Sequence, residues 1–170
     1  FTQVDGLHSL IRTAVPITVV PVNDLACGAA TTQSSGTSGV ACLGCTVVNP
    51  GLAVDNDPAT SSEMRVGIGL LGGVFQSLGF PTAAGAADTL RIGIGSNTRL
   101  LDAGLLTGLT FTLYNGATEV KEYNNAALLN LRLLNDTSYS ELVFAPGVAF
   151  DSVRVEYNAL LAAVSNIRIH

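Results

Sequence analysis

Residues 109–123 read LTFTLYNGATEVKEY, and this stretch decides the fold class. Leu109, Phe111 and Leu113 alternate with polar residues, which is the two-residue period of a strand with one buried face. Asn115 and Gly116 follow directly, and this dipeptide favours a tight hairpin turn. The sequence therefore predicts that residues 117–123 return antiparallel to the first strand.

Similar short runs recur along the chain at intervals of about 8–12 residues, separated by turn residues. Further predicted strands cover residues 64–68, 74–80, 90–94, 129–133, 142–144, 153–157 and 167–169. Gly72 and Gly73 are predicted to join the strands at 64–68 and 74–80. A short helix is the alternative at 129–133, because leucine favours helices, and a helical turn is the alternative at 100–109. About eight strands at this spacing predict an all-β protein, an antiparallel β-sandwich of jelly-roll type.

The N-terminal segment differs, because residues 13–22 carry no charge at all. In a strand, both faces of this segment would be apolar, so it requires burial on both sides. The residues concerned are Val15, Ile17 and Val19 on one face and Val20 and Val22 on the other. Such an apolar arm either covers its own domain or adds to the edge of a neighbouring molecule's sheet, where backbone groups are unpaired.

A composition change divides the chain. Residues 28–40 are uncharged and rich in Gly, Ser and Thr, which is typical of a flexible linker. We therefore predict an N-terminal arm or donor strand at residues 1–26, a linker at 27–41 and the β-sandwich domain at 42–170.

Composition and charge exclude several functions. Hydrophobic residues reach 48% and charged residues only 12%, which excludes disorder. The net charge is -5 and Lys121 is the only lysine, so we predict no nucleic-acid partner. No membrane span is predicted, since the uncharged stretch at 13–22 is short and contains two prolines. A secretory signal is predicted to be absent or already removed.

The three cysteines leave the disulfide pairing open. Cys42 and Cys45 can bond only across a turn, which Gly44 could supply with a positive φ. The alternative is Cys27 paired with Cys42 or Cys45 across the linker. Structural zinc lacks a fourth ligand, because the only histidines are at the two chain ends.

Several patterns that can signal catalysis carry little weight here. Residues 67–72 match the glycine-rich dinucleotide fingerprint, but no helix is expected after them, so we interpret them as glycine-rich β structure. His8 and His170 are terminal, and no serine lies in a Gly-x-Ser-x-Gly elbow. The sequence therefore predicts a protein that is not an enzyme.

The strongest candidate site is the loop at residues 55–63, which reads DNDPATSSE. Its carboxylates and side-chain oxygens are ligands that suit calcium, so Asp55 and Asp57 are candidate metal ligands. In the alternative interpretation the loop is an Asx-turn, in which an aspartate or asparagine side chain bonds its own backbone.

Residues 42–60, CLGCTVVNPGLAVDNDPAT, and 144–155, FAPGVAFDSVRV, resemble a known kind of module. The first run resembles the Asn-Pro-x-x-Ala-Val-Asp-Gly-Asn-x-x-Thr opening of discoidin-like jelly-roll modules in secreted surface proteins and adhesins of Bacteroidota. The resemblance covers residues 27–170. It implies a non-catalytic extracellular β-sandwich used for adhesion, glycan binding or spacing, with structural calcium at Asp55 and Asp57. Asn56 and Ser61 depart from the pattern.

Together these observations predict a structural or adhesive surface protein, a filament subunit that self-associates by N-terminal strand addition. The alternative is a monomeric, discoidin-like module for carbohydrate or another cell-surface target within a larger secreted protein. The sequence has no Trp and only four scattered tyrosines, so it offers no obvious sugar-stacking site.

Overall fold

The computed structural model describes residues 28–96, 108–124, 130–133, 139–158 and 165–170. Within these ranges the chain forms eleven β-strands and one short 3-10 turn, Pro50–Ala53. The strands are β1 (Thr32–Leu43), β2 (Thr46–Val48), β3 (Ser62–Val66), β4 (Ile68–Ala84), β5 (Leu90–Ser96), β6 (Leu109–Asn115), β7 (Thr118–Tyr123), β8 (Asn130–Leu133), β9 (Tyr139–Phe144), β10 (Phe150–Asn158) and β11 (Ser165–Ile169). No helix in these ranges is long and apolar enough to cross a membrane.

The strands form two antiparallel sheets. The five-stranded sheet has the order β1-β4-β10-β6-β7, and the six-stranded sheet has the order β2-β3-β11-β5-β9-β8. Successive strands repeatedly change sheet, so most hydrogen-bonded neighbours are distant in the sequence. The predicted all-β, jelly-roll-like antiparallel sandwich is confirmed.

The core lies between the sheets and is built from the alternating positions of the strands. Leu109, Phe111 and Leu113 of β6 are fully buried, as are Val153 and Val155 of β10. The opposite sheet contributes apolar residues with the same spacing, namely Met64, Val66, Leu90, Ile92, Ile94, Leu142, Ile167 and Ile169. The two-residue period therefore places one face of each sheet in the core and leaves the other outward.

The predicted hairpin between β6 and β7 is confirmed. Asn115 pairs with Thr118, and Gly116 adopts a φ of 61°. A positive φ suits the Asn-Gly turn, because glycine reaches the left-handed region without a steric penalty. The N–H of Gly116 also donates to Oδ2 of Asp151 at 2.6 Å, which fastens the turn to β10.

The predicted break at Gly72 and Gly73 is wrong, because β4 runs through both residues without interruption. A Cβ at Gly73 would collide with Oδ1 of Asn158 and the carbonyl oxygen of Tyr157 in β10. The turn between β3 and β4 lies at Gly67, where a Cβ would collide with the carbonyl oxygen of Leu43. Close strand neighbours therefore account for Gly73.

The prediction of a flexible linker at residues 27–41 is wrong from Thr32 onward. These residues begin β1, which pairs antiparallel with β4 from Thr32 opposite Gly79 to Leu43 opposite Ile68. Backbone hydrogen bonds can pair an edge strand with its neighbour regardless of its side chains, and threonine favours strands. The sandwich therefore includes part of the predicted linker, whereas the predicted arm at 1–26 lies outside the described residues.

The remaining local predictions have mixed outcomes. Asn130–Leu133 pairs with β9 as β8, so the strand is correct there and the helix alternative is wrong. The alternative helical turn at 100–109 falls mainly outside the described residues. Of the fingerprint-like residues 67–72, Gly67 forms the turn before β4 and residues 68–72 begin that strand, as the β interpretation requires.

One disulfide joins Cys42 and Cys45, with a Cα–Cα distance of 5.4 Å. Gly44 between them has a φ of 78°, which is the turn that this pairing needs. The bond spans the connection from β1 in one sheet to β2 in the other. The alternative pairings of Cys27 are therefore wrong, and Cys27 itself lies outside the described residues.

Candidate functional site

The outward side of the five-stranded sheet carries the most distinctive cluster of polar groups, and we call it the hollow face. Its residues are those that alternate with the inward-facing ones of β1, β4 and β10. They include Thr32 and Ser34 of β1, Phe75, Ser77 and Gly79 of β4, and Ser152, Arg154 and Glu156 of β10. Strand register brings them side by side, although they come from three distant parts of the sequence.

An open hollow of about 280 Å³ lies on this face. Four of the seven residues that line it carry a hydroxyl group, and the lining consists of Thr32, Gln33, Ser34, Ser77, Leu78, Gly79 and Ser152. A hydroxyl can donate one hydrogen bond and accept others, and that of Ser152 already donates to Oδ1 of Asp151 at 2.9 Å, so the hollow suits a ligand that is itself rich in hydroxyl groups. Its volume is just below the usual range for small-molecule pockets, about 300 to 1,000 Å³.

A charged and aromatic ridge borders the hollow. Cζ of Arg154 lies 3.7 Å from the ring centroid of Phe75, which is a cation–π contact. Nε and Nη2 of Arg154 both donate to Oε2 of Glu156, at 3.1 and 2.9 Å. The ring of Phe75 lies over Gly36 of β1, where an added Cβ would be only 2.9 Å from its Cζ.

Strand register fixes this ridge beside the hollow. Arg154 pairs directly with Ser77, one of the hydroxyl residues of the hollow. The side chains of Arg154 and Glu156 are 27% and 22% exposed, so a ligand can reach their polar atoms. The hollow face therefore offers hydroxyls, a guanidinium, a carboxylate and an aromatic ring within one patch.

The candidate metal loop closes on itself through hydrogen bonds. Oδ1 of Asp55 accepts the backbone N–H of Asp57 at 2.9 Å, and its Oδ2 accepts the hydroxyl of Thr60 at 2.7 Å. Oδ1 of Asp57 accepts the backbone N–H of Ala59 at 2.9 Å. Asn56 takes a positive φ of 61°, as a tight turn requires.

This geometry fits the Asx-turn interpretation. Three of the four carboxylate oxygens of Asp55 and Asp57 already accept hydrogen bonds, whereas calcium takes about 6–8 oxygen ligands. Among the described residues, no three His, Cys, Asp or Glu side chains form a group that could hold a metal ion. Calcium binding at Asp55 and Asp57 remains a prediction, and the hydrogen bonds of these two carboxylates do not favour it.

The loop gives a pH-dependent prediction. The hydroxyl of Thr60, and after it the N–H of Asp57, hold the pKa of Asp55 below its ordinary value. A carboxyl with a lower pKa when folded stabilises the fold above its unfolded pKa, and this contribution disappears as the pH falls through the folded pKa. Thr60→Val removes the main donor, so we expect the pKa of Asp55 to rise toward its ordinary value.

An NMR titration of the Asp55 side-chain carboxyl measures this effect. Ser61→Ala is the matched control, because the hydrogen bonds that Asp55 accepts come from Asp57 and Thr60, so the pKa should stay low in that variant. An ordinary Asp55 pKa in the unmodified protein would contradict the hydrogen-bonded loop.

The structure separates the other predicted site residues. Cys42 and Cys45 form a structural link at one end of β1, far from the hollow at the other end of that strand. His170 follows β11 in the opposite sheet, with Nδ1 3.2 Å from the carbonyl oxygen of Pro58. His8, Cys27 and the strand-addition residues Val15, Ile17, Val19, Val20 and Val22 lie outside the described residues.

Sequence reasoning missed the hollow face entirely. Its β1 residues lie in the segment predicted as a linker, and its serines are too common to stand out. The sequence did contain one usable signal. Arg154 and Glu156 alternate with buried valines, so both charged side chains face outward. Only the pairing of β4 with both β1 and β10 brings the hydroxyls beside that pair.

Comparisons with known proteins give a fold and no family. No protein-family model matches the sequence, and no curated protein matches it. A β-1,2-glucanase from Parabacteroides distasonis is 11% identical, with a TM-score of 0.54 over 84% of this chain and 23% of its own. The chain thus corresponds to less than a quarter of that glucanase.

Two carbohydrate-binding modules are also similar in structure. A family 32 module from C. perfringens, solved with galactose, is 12% identical with a TM-score of 0.43, covering 81% of this chain and 92% of the module. Chitosan-binding module 1 from a Paenibacillus chitosanase/glucanase is 13% identical with a TM-score of 0.43, covering 84% and 98%. At such identities the likeness concerns the fold alone.

Proposed function

We propose that this chain is a non-catalytic carbohydrate-binding module that binds a neutral glycan on the hollow face. The observation that carries this proposal is the hydroxyl-lined hollow beside the Phe75, Arg154 and Glu156 ridge. Sugar hydroxyls pair with hydroxyl, guanidinium and carboxylate groups, and the ridge holds its charged pair in one fixed arrangement. A glycan would therefore meet preorganised partners.

The chemistry of the face supports binding without catalysis. Oε2 of Glu156 accepts two hydrogen bonds from Arg154, and among the described residues the hollow face carries no histidine that could act as a base. The proposed place of action is outside the cell, in a larger secreted or surface protein of the kind that the discoidin-like resemblance implies. The Cys42–Cys45 disulfide supports this, because disulfides persist in oxidising compartments.

Affinity electrophoresis of the full chain through gels that contain neutral polysaccharides tests the proposal. We expect at least one neutral polysaccharide, such as a galactan or a glucan, to retard the protein. The retardation should persist at high salt, because hydrogen bonds and stacking are screened less than exposed charges. If no neutral polysaccharide retards the protein, the proposed function is wrong.

A structural or adhesive role by strand addition is a second proposal, and the position of β1 favours it. β1 is the outer strand of the five-stranded sheet, and within the described residues no strand pairs with its free side. Such an edge can accept an added strand, and residues 13–22 are apolar enough to serve as one. Deleting residues 1–24 should then convert oligomers into monomers in size-exclusion chromatography, and unchanged oligomers would remove this proposal.

A further inference from the structure

The outward side of the six-stranded sheet concentrates arginine in an acidic protein. We call it the arginine face and define it by Arg65 of β3, Arg168 of β11 and Arg91 of β5. Each alternates with buried residues of its strand, namely Met64, Ile167 and Ile92. Arg132 occupies the position of β8 that pairs with Glu141 of β9. Four of the chain's eight basic residues thus belong to this one sheet.

The arginine face carries fewer acidic residues than arginines, and the acidic side chains are less exposed to solvent. Arg65 is 2.6 Å from Glu63 and Arg91 is 3.5 Å from Glu141. The two arginine side chains are 48% and 53% exposed, whereas each of the two glutamates is only 17% exposed. The guanidinium groups of Arg65 and Arg91 are therefore more exposed than the carboxylates beside them, and Glu63 also lies directly opposite Arg168.

The register spaces these arginines along a diagonal of the sheet. Arg65 pairs with Asn166, two residues from Arg168, which puts the two arginine Cα atoms about 8 Å apart. Arg168 pairs with Gly95, four residues from Arg91 in the neighbouring strand, which gives about 14 Å. The three arginines thus form an extended, sparsely charged row of about 22 Å.

We propose that the arginine face binds a linear uronic-acid polysaccharide. A guanidinium is planar and pairs with a carboxylate through two parallel hydrogen bonds. A polyuronate carries one carboxylate per sugar along an extended chain, which suits a row of separated arginines. Double-stranded DNA, with one charge per about 1.7 Å, would demand far more cationic groups than this protein has.

The arginine face is independent of the hollow face, because the two lie on opposite sides of the sandwich. A second copy of this chain is the competing occupant, since the five-stranded sheet carries the acidic residues Glu119, Glu122 and Glu156. The long diagonal spacing favours a flexible linear polymer over a rigid protein surface, whose charges would have to match every arginine at once.

Affinity electrophoresis of the full chain in gels with polygalacturonate, neutral galactan or heparin tests the proposal. We expect polygalacturonate to bind, and Arg91→Gln and Arg168→Gln each to weaken it by about three- to fivefold. Lys121→Gln is the control, because it removes the same charge from the opposite sheet and should leave the affinity unchanged. Added salt should weaken polygalacturonate binding.

Several outcomes would overturn this proposal. They are no binding of polygalacturonate, an equal loss in Lys121→Gln, tighter binding of heparin, or arginine variants that change only the oligomeric state. Arg91 is more than half exposed, so Arg91→Gln should fold normally and a thermal melt checks this. Binding of neutral galactan tests the hollow face and not the arginine face. Either proposal can therefore fail without affecting the other.

Discussion

Replacing Gln76 with leucine is expected to lower the free energy of unfolding by about 3 kcal/mol. Gln76 is fully buried in β4 and uses both ends of its amide. Its Oε1 accepts the hydroxyl of Ser62 at 2.6 Å, and its Nε2 donates to the carbonyl oxygen of Pro50 at 2.7 Å. Leucine would leave both partners in the sandwich without their hydrogen bonds, and an unsatisfied buried polar group costs about 1–3 kcal/mol.

Urea unfolding of Gln76→Leu, Ser62→Ala and the double variant measures this effect. Because Ser62 and Gln76 share a hydrogen bond, the double variant should lose clearly less stability than the sum of the single losses. Gln33→Leu is the matched control, since Oε1 of Gln33 has no hydrogen-bond partner in the described part of the chain and its loss should cost little. Additive losses, or an equal effect at Gln33, would contradict the role of Gln76.

Filling the hollow with Ser77→Tyr is expected to weaken binding of a neutral polysaccharide by at least about tenfold, roughly 1.4 kcal/mol. Ser77 points outward from β4 and pairs with Arg154, so a tyrosine there would occupy the hollow and displace the ligand. The core should be undisturbed, because the substituted side chain lies on the opposite side of the strand from Gln76 and Leu78.

The control for Ser77→Tyr is Thr118→Tyr, which adds the same side chain at an exposed position of β7 away from the hollow. Both variants should melt near the temperature of the unmodified protein, and only Ser77→Tyr should lose retardation in the polysaccharide gel. Unmodified affinity in Ser77→Tyr would show that the ligand binds elsewhere.

The sequence was sufficient for elements whose signal is local. The alternation at Leu109, Phe111 and Leu113 predicts β6, and Asn115 with Gly116 predicts the hairpin that follows. The burial of alternate residues enforces these strands, because a one-residue shift would turn every apolar side chain toward solvent. The Cys42–Cys45 bond could also be considered from the local sequence, because Gly44 permits the turn that it needs.

The sequence was insufficient where structure depends on distant partners. β1 has the composition of a linker, and it is a strand because β4 supplies a long row of backbone hydrogen bonds. Gly73 looked like a turn residue, yet the close approach of Asn158 and Tyr157 accounts for it. The hollow face depends on the register of β4 with its two neighbours, so the sequence alone could not show that Ser34, Ser77 and Ser152 lie together. The Asx-turn at Asp55 was local and could be anticipated.

An amide NMR titration of the full chain with the neutral polysaccharide that retards it most strongly tests directly whether the hollow face binds glycan. We expect the largest shifts at residues 32–34, 77–79 and 152–156, with little change at the Asp55 to Thr60 loop. Shifts that cluster at that loop or on the arginine face, with residues 77–79 unaffected, would contradict the proposed site.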